Sequence, residues 1–292
     1  MQFYTPLRYP GGKGRLAGFM KKIFLYNNLC DSTYIEPYAG GAAVALNLLF
    51  EEYAWRIIIN DADPLIFSFW YTVLYDTEWL LRKLIDTKVN INEWNKQRAI
   101  HAHYQEHSMS EVGFATLFMN RTNRSGIIKA GVIGGKEQRG AYPMSARFNK
   151  QDLSNRIQRI ANYGERIAVT NLDAAELIAR VETDNVAGAE RIFFYFDPPY
   201  YKKGSLLYSN FYTHEDHLAI AEQVQELNVP WIMTYDCTPE IESMYSEQSS
   251  VYFTLIYSAN EARKKGTEIM FYNRICLPPE FCRGEMLHFQ RN

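Results

Sequence analysis

Five apolar residues, Ile192–Phe196, run without interruption into Asp197, Pro198, Pro199 and Tyr200. β-Branched and aromatic residues in so short a run predict a fully buried strand. Neither proline can donate a ladder hydrogen bond, so the strand must stop at the acid. An acid, two proline-constrained carbonyls and an aromatic ring are thereby held at the carboxyl end of a buried strand. In open α/β sheets that is where ligands bind.

This group suits a planar base carrying an exocyclic amine. The base can stack on Tyr200 while Asp197 and the Pro198 carbonyl accept its two amino hydrogens. Accepting both draws the nitrogen lone pair out of conjugation and makes a poor nucleophile competent. A strand-ending turn with a capping Asp reads from the same four residues, so the rest of the chain has to decide.

Near the amino terminus, Tyr9-Pro10-Gly11-Gly12-Lys13 forms a tight turn flanked by a ring and a cation. Leu16, Phe19, Met20, Ile23 and Phe24 follow at helical spacing. A second turn comes next: a short strand ends at Glu36-Pro37-Tyr38, Gly40 and Gly41 bend the chain, and a helix of small residues begins. Strand, glycine turn and helix leave room for a nucleotide cofactor against the backbone. About twenty residues on, the apolar run Ile57-Ile58-Ile59 ends in Asn60-Asp61, where Rossmann-like folds place a carboxylate on ribose hydroxyls. The turn is not G-x-G-x-x-G, which argues against a nicotinamide-dependent oxidoreductase.

The chain has 292 residues, of which 47% are hydrophobic. That suffices for an α/β domain with a large insert, or for two domains. Net charge is only −2, yet 120–160 holds nine Lys or Arg against two acids. A basic segment on an acidic body is a phosphate-facing surface or a solvated face. Within it, 118–135 is rich in Gly, Asn and Arg and reads as a long loop, with a basic helix over 151–160. His101, His103 and His107 lack partners at ligand spacing and read as a solvated helix rather than a metal centre. Cys30, Cys237, Cys276 and Cys282 show no paired spacing, as in a reduced, cytoplasmic protein. No apolar run approaches the ~18 residues of a membrane span.

Further strands are predicted at 167–173, 231–236, 251–257 and 268–272, and helices at 214–227 and 241–245. Tyr208-Ser209-Asn210-Phe211 lies between the central strand and the first of these helices.

The Tyr-Pro-Gly-Gly-Lys turn, Glu-Pro-Tyr-Ala-Gly-Gly, the Asn-Asp pair and Asp-Pro-Pro-Tyr stand in one order from Pro6 to about Asn273. In this the chain resembles the Dam-type DNA adenine-N6 methyltransferases, in their alpha order of motifs. The resemblance implies a Rossmann-like α/β methyltransferase sheet over 1–65 and 161–292, and an inserted, mainly helical target-recognition domain over 66–160. It implies S-adenosylmethionine as donor, S-adenosylhomocysteine as product, and double-stranded DNA as partner. It also implies a monomer or weak dimer, no metal, and restriction–modification as one setting. Catalytic residues would be Asp197, Pro198 and Tyr200. Tyr9, Lys13, Glu36, Tyr38, Gly40, Asp61 and Asp197 would line the cofactor site, and Arg8, Arg124, Ser125, Ile127 and Lys129 would face DNA. Two departures stand out. Ala42 replaces the turn's next glycine, and Arg124-Ser125-Gly126-Ile127-Ile128-Lys129 differs from the loop of GATC-specific members, so that specificity is not carried over. Asp-Pro-Pro-Tyr alone leaves open cytosine N4, an RNA adenine, or a non-catalytic DNA-binding subunit on the same fold.

Overall fold

A computed structural model describes residues 3–8, 13–185, 191–202, 212–257, 264–281 and 287–289. Their contacts gather into two units. The first holds the described residues of Met1–Phe3, Lys13–Ala62 and Leu172–Asn292; the second holds those of Tyr4–Gly12 and Asp63–Asn171.

The first unit opens with α1 (Ala17–Tyr26), β1 (Thr33–Glu36), α2 (Ala43–Phe50) and β2 (Arg56–Asn60). Helix α2 has no side-chain cap, because its N-cap residue is Ala42, which carries no acceptor; Gly40 and Ala42 both take left-handed conformations ahead of it. One of its early amides, Ala45 N–H, is satisfied by the Glu36 carboxyl instead.

The second unit carries α3 (Pro64–Tyr75), α4 (Thr77–Asp86), α5 (Ile91–Ala102), α6 (Met109–Thr122), α7 (Lys150–Ala161) and β3 (Ile167–Thr170). Its helix starts follow local chemistry: Asp63 caps α3 with Pro64 in the first turn, and Ser108 with Glu111 forms a capping box for α6. Gly113 lets α6 approach α3, since a Cβ there would strike Thr72 Oγ1 and come within 2.5 Å of the Ser68 carbonyl. The loop expected from 118 begins only after Thr122. Phe114 and Phe118 carry the buried face of α6 onward, and Asn120 and Arg121 belong to that helix, only 1% and 8% exposed.

The chain returns to the first unit with α8 (Ala174–Asp184), β4 (Ile192–Phe196), α9 (His214–Glu226), β5 (Trp231–Asp236), α10 (Pro239–Met244), β6 (Ser249–Tyr257), β7 (Lys264–Asn273) and β8 (Leu287–Phe289). Strand β8 had no signal in the sequence reading. Within this unit the strands lie in the order β2-β1-β4-β5-β7-β6-β8. The pairs β2-β1, β1-β4 and β4-β5 are parallel; β7 runs antiparallel to both β5 and β6. Both faces of β4 are covered, which is why its sequence is apolar without alternation. Phe194 and Phe196 join Trp231, Ile178 and Val224 on one side. On the other, Phe193 meets Phe24 at 5.1 Å and stacks on Tyr34 at 6.0 Å. The direction of winding reverses between β1 and β4, a topological switch point. The Rossmann-like α/β expectation holds.

Candidate active site

Both motif turns leave the carboxyl ends of these two neighbouring strands, with Ile35 paired to Phe194. Asp197 follows β4 directly. Its Oδ1 accepts Lys13 Nζ at 2.8 Å and Thr234 Oγ1 at 2.9 Å, and Tyr195 hydroxyl lies 2.9 Å from the same Thr234 oxygen. Both bonds to Asp197 fall on Oδ1, so the carboxylate is held in one orientation with Oδ2 turned from these partners. Pro198 is buried, and Tyr200 is half-buried.

Lys13 is 4% exposed. Beyond Asp197, its ammonium reaches Tyr200 hydroxyl at 3.2 Å and Glu268 Oε2 at 3.3 Å, and lies 5.0 Å from the Tyr200 ring centroid. Burial alone would lower the Lys13 pKa; attraction to Asp197 and then Glu268 outweighs it and holds the group well above the usual lysine value. Lys13 therefore stays charged.

At the glycine turn, Gly40 N–H donates to Asp61 Oδ2 at 2.8 Å, tying the turn to the end of β2. Glu36 is buried, and one oxygen, Oε1, accepts both Tyr34 hydroxyl at 2.9 Å and Ala45 N–H at 3.1 Å. Burial raises its pKa to about 8 against these two hydrogen bonds, so much of it is protonated at neutral pH. Tyr38 hydroxyl pairs with Tyr212 hydroxyl at 2.9 Å. Lys13, Glu36, Tyr38, Gly40, Asp61 and Asp197 thus fall in one unit; Tyr9 lies outside the described residues, as does the stretch from Tyr208 to Phe211.

The five residues expected to face DNA all fall in the second unit. Arg124, Ser125 and Lys129 are exposed, and Ile127 is half-buried. Arg8 is drawn to them from far along the chain. Asn120 accepts Arg8 N–H at 2.8 Å and donates to both the Arg8 carbonyl (2.9 Å) and the Gly126 carbonyl (3.0 Å). Gly126, at φ +75°, packs directly on the Arg8 backbone and leaves no room for a Cβ. Arg121 belongs to the structure rather than the surface: it donates to the Pro6 carbonyl, and burial, then repulsion from Arg156 and Arg8, lowers its pKa to about 9.

His101 departs from the solvated histidine expected. Its Nε2 is buried without a hydrogen-bond partner among the described residues, and burial followed by repulsion from Lys129 lowers its pKa to about 4. Among the described residues no cluster of His, Cys, Asp or Glu could hold a metal ion, and no helix is long and apolar enough to cross a membrane.

Sequence reasoning missed Thr234, Asp236 and Glu268. Each sits inside or at the end of a strand that reads as core, where a polar residue among apolar ones was the available signal. Asp236 accepts Tyr201 N–H at 2.9 Å and Lys202 N–H at 3.2 Å, holding the chain just past Tyr200.

No curated protein matches the chain. The family profile of the D12 class N6 adenine-specific DNA methyltransferases matches residues 9–264, a span that takes in Lys13, the turn at Gly40, Asp61 and Asp197. With most of its length inside that match, the chain belongs to the D12 class N6 adenine-specific DNA methyltransferase family, with DNA as substrate and a methyl donor as second reactant.

Proposed function

We propose that the chain transfers the methyl group of S-adenosylmethionine to N6 of an adenine turned out of double-stranded DNA. The observation that carries this reading is the Asp197 carboxylate, anchored through Oδ1 by Lys13 and Thr234, beside Tyr200. Asp197 Oδ2 and the Pro198 carbonyl accept the two amino hydrogens of the base. Tyr200 stacks on it, a contact worth roughly 1–3 kcal/mol against the few kcal/mol of unstacking. As charge develops on the nitrogen, Asp197 Oδ2 or water takes the released proton.

The residues at the glycine turn fit the cofactor. Gly40 at φ +46° brings backbone close to a ligand, Asp61 already holds the turn through Gly40 N–H, and its carboxylate suits ribose hydroxyls. Glu36 and Tyr38 border the same turn. When bound, the cofactor supplies an activated methyl group; the protein supplies orientation and electrostatics. Arg8, Arg124, Ser125, Ile127 and Lys129 make the second unit the target-recognition part, reading base edges and holding phosphates. The enzyme works without metal, as a cytoplasmic monomer or weak dimer.

Incubation with tritiated S-adenosylmethionine and duplex DNA of mixed sequence, followed by nucleoside analysis, tests this. Label in N6-methyladenine is expected. Label in N4-methylcytosine alone, or none in DNA, overturns it.

A further inference from the structure

Glu268 lies on β7 just past the span that matches the family, and it is 3% exposed. Its two oxygens have different neighbours. Oε1 accepts Tyr200 hydroxyl at 3.0 Å. Oε2 stands 3.3 Å from Lys13 Nζ in an ion pair. Removing a carboxylate from water costs several kcal/mol unless it is paired. The residues after it on the strand, Ile269, Met270 and Phe271, are all buried and apolar, so packing alone would favour an apolar side chain here.

The geometry points to Glu268 as a positioning residue for methyl transfer, which shares the charge of Lys13 with Asp197 and fixes the ring of Tyr200. This rests on the reading of Asp197 and Tyr200 given above. One ammonium stands between two carboxylates, so Asp197 is oriented by Lys13 without being its sole counter-ion. Tyr200 follows two residues whose own φ is fixed by their proline rings, and Glu268 holds its hydroxyl. Asp236 is the β5 register partner of Glu268 and holds the next two backbone amides. Paired positions on β5 and β7 therefore grip three consecutive residues, Tyr200, Tyr201 and Lys202.

The charged and titratable groups around Glu268 are Lys13 ahead of α1, Asp197 and Tyr200 after β4, and Asp236 beside it on β5; its β6 partner is the apolar Phe253. Burial pushes the Glu268 carboxyl up, Lys13 pulls it down and Asp197 pushes it up, leaving it above the usual glutamate value.

Glu268→Gln keeps the size and the oxygen facing Tyr200 but removes the charge. Steady-state kinetics on a duplex containing the methylated site should show kcat lower by ~10- to 100-fold, with both KM values within ~3-fold of wild type. The acidic limb of the kcat–pH profile should move to lower pH, which a purely structural residue would not cause. Tyr200→Phe keeps the ring and loses the hydroxyl, and combining it with Glu268→Gln should cost less than the product of the two single losses. Glu268→Asp keeps the charge with a shorter reach, and should retain the wild-type acidic limb at a lowered kcat. Wild-type kcat and pH profile in folded Glu268→Gln, or wild-type kcat in Glu268→Asp, overturns the assignment of Glu268 alone. Full activity in Asp197→Asn overturns the reading of Asp197, and Glu268 with it.

Discussion

Lys13 Nζ lies 2.8 Å from Asp197 Oδ1, although 184 positions separate the two residues. The acid of the Asp-Pro-Pro-Tyr motif is thus set by the buried ammonium of Lys13, which stands ahead of α1. Asp197→Asn preserves shape and removes the charge, so turnover should fall at least about a hundredfold while cofactor binding persists. Asp197→Ala should also melt lower than Asp197→Asn, because buried Lys13 loses its nearest partner. Single-turnover kinetics and thermal melts on both variants check this.

Glu36 should make stability depend on pH in an unusual sense. Folded, it keeps its proton to about pH 8; unfolded, it releases it near the ordinary 4.5. The folded chain therefore binds more protons across that interval, and linkage requires stability to fall as pH rises through it. Glu36→Gln should flatten this slope and melt above wild type at the alkaline end. Melting curves from pH 5 to 9 decide it, and parallel wild-type and variant profiles would count against a protonated Glu36.

Asp61→Ala removes the acceptor of Gly40 N–H as well as a carboxylate. S-adenosylmethionine affinity by calorimetry should drop ~10-fold or more, from the loss of a charge-assisted bond worth roughly 1.5–3 kcal/mol. Unchanged affinity in the folded variant would remove Asp61 from the cofactor site.

Lys129 and Arg121 should behave differently although both belong to the basic segment. Lys129→Ala should weaken DNA binding. A uniform loss with a salt slope smaller by about one unit marks a phosphate contact, whereas relaxed preference at one position marks base reading. Arg121→Met should lower the melting temperature and leave the salt slope alone, since Arg121 donates to the Pro6 carbonyl. Binding isotherms over a salt series on several duplexes separate the two.

The strand–turn–helix at 33–50 and the strand ending at Asp197 were legible because each rests on local signals: apolar runs, the glycine pair at Gly40, and prolines that end a ladder. The helix caps at Asp63 and Ser108 rest on residues just as local, although the sequence reading did not single them out. What escaped depends on long-range pairing. Nothing near Glu268 tells that β7 sets it against Tyr200 and Lys13, and Thr234 reads as one more strand residue until β5 is placed beside β4. Arg121 misled in the opposite way, because its charge suggested a surface while its helix turned it inward. Asp-Pro-Pro-Tyr does not separate adenine from cytosine, and that distinction came from the family match across 9–264.

The stretch Thr5–Arg8 is held by Asn120, Arg121 and Arg156 at sequence separations of 112, 115 and 151. These residues are translated long before their partners exist. Closing loops of that length costs entropy that only the completed helices repay. The second unit is therefore expected to finish late, with its earliest-made segment docking onto α6 and α7 after both have formed. Loosening this docking, as Asn120→Ala would, should then act first on refolding yield.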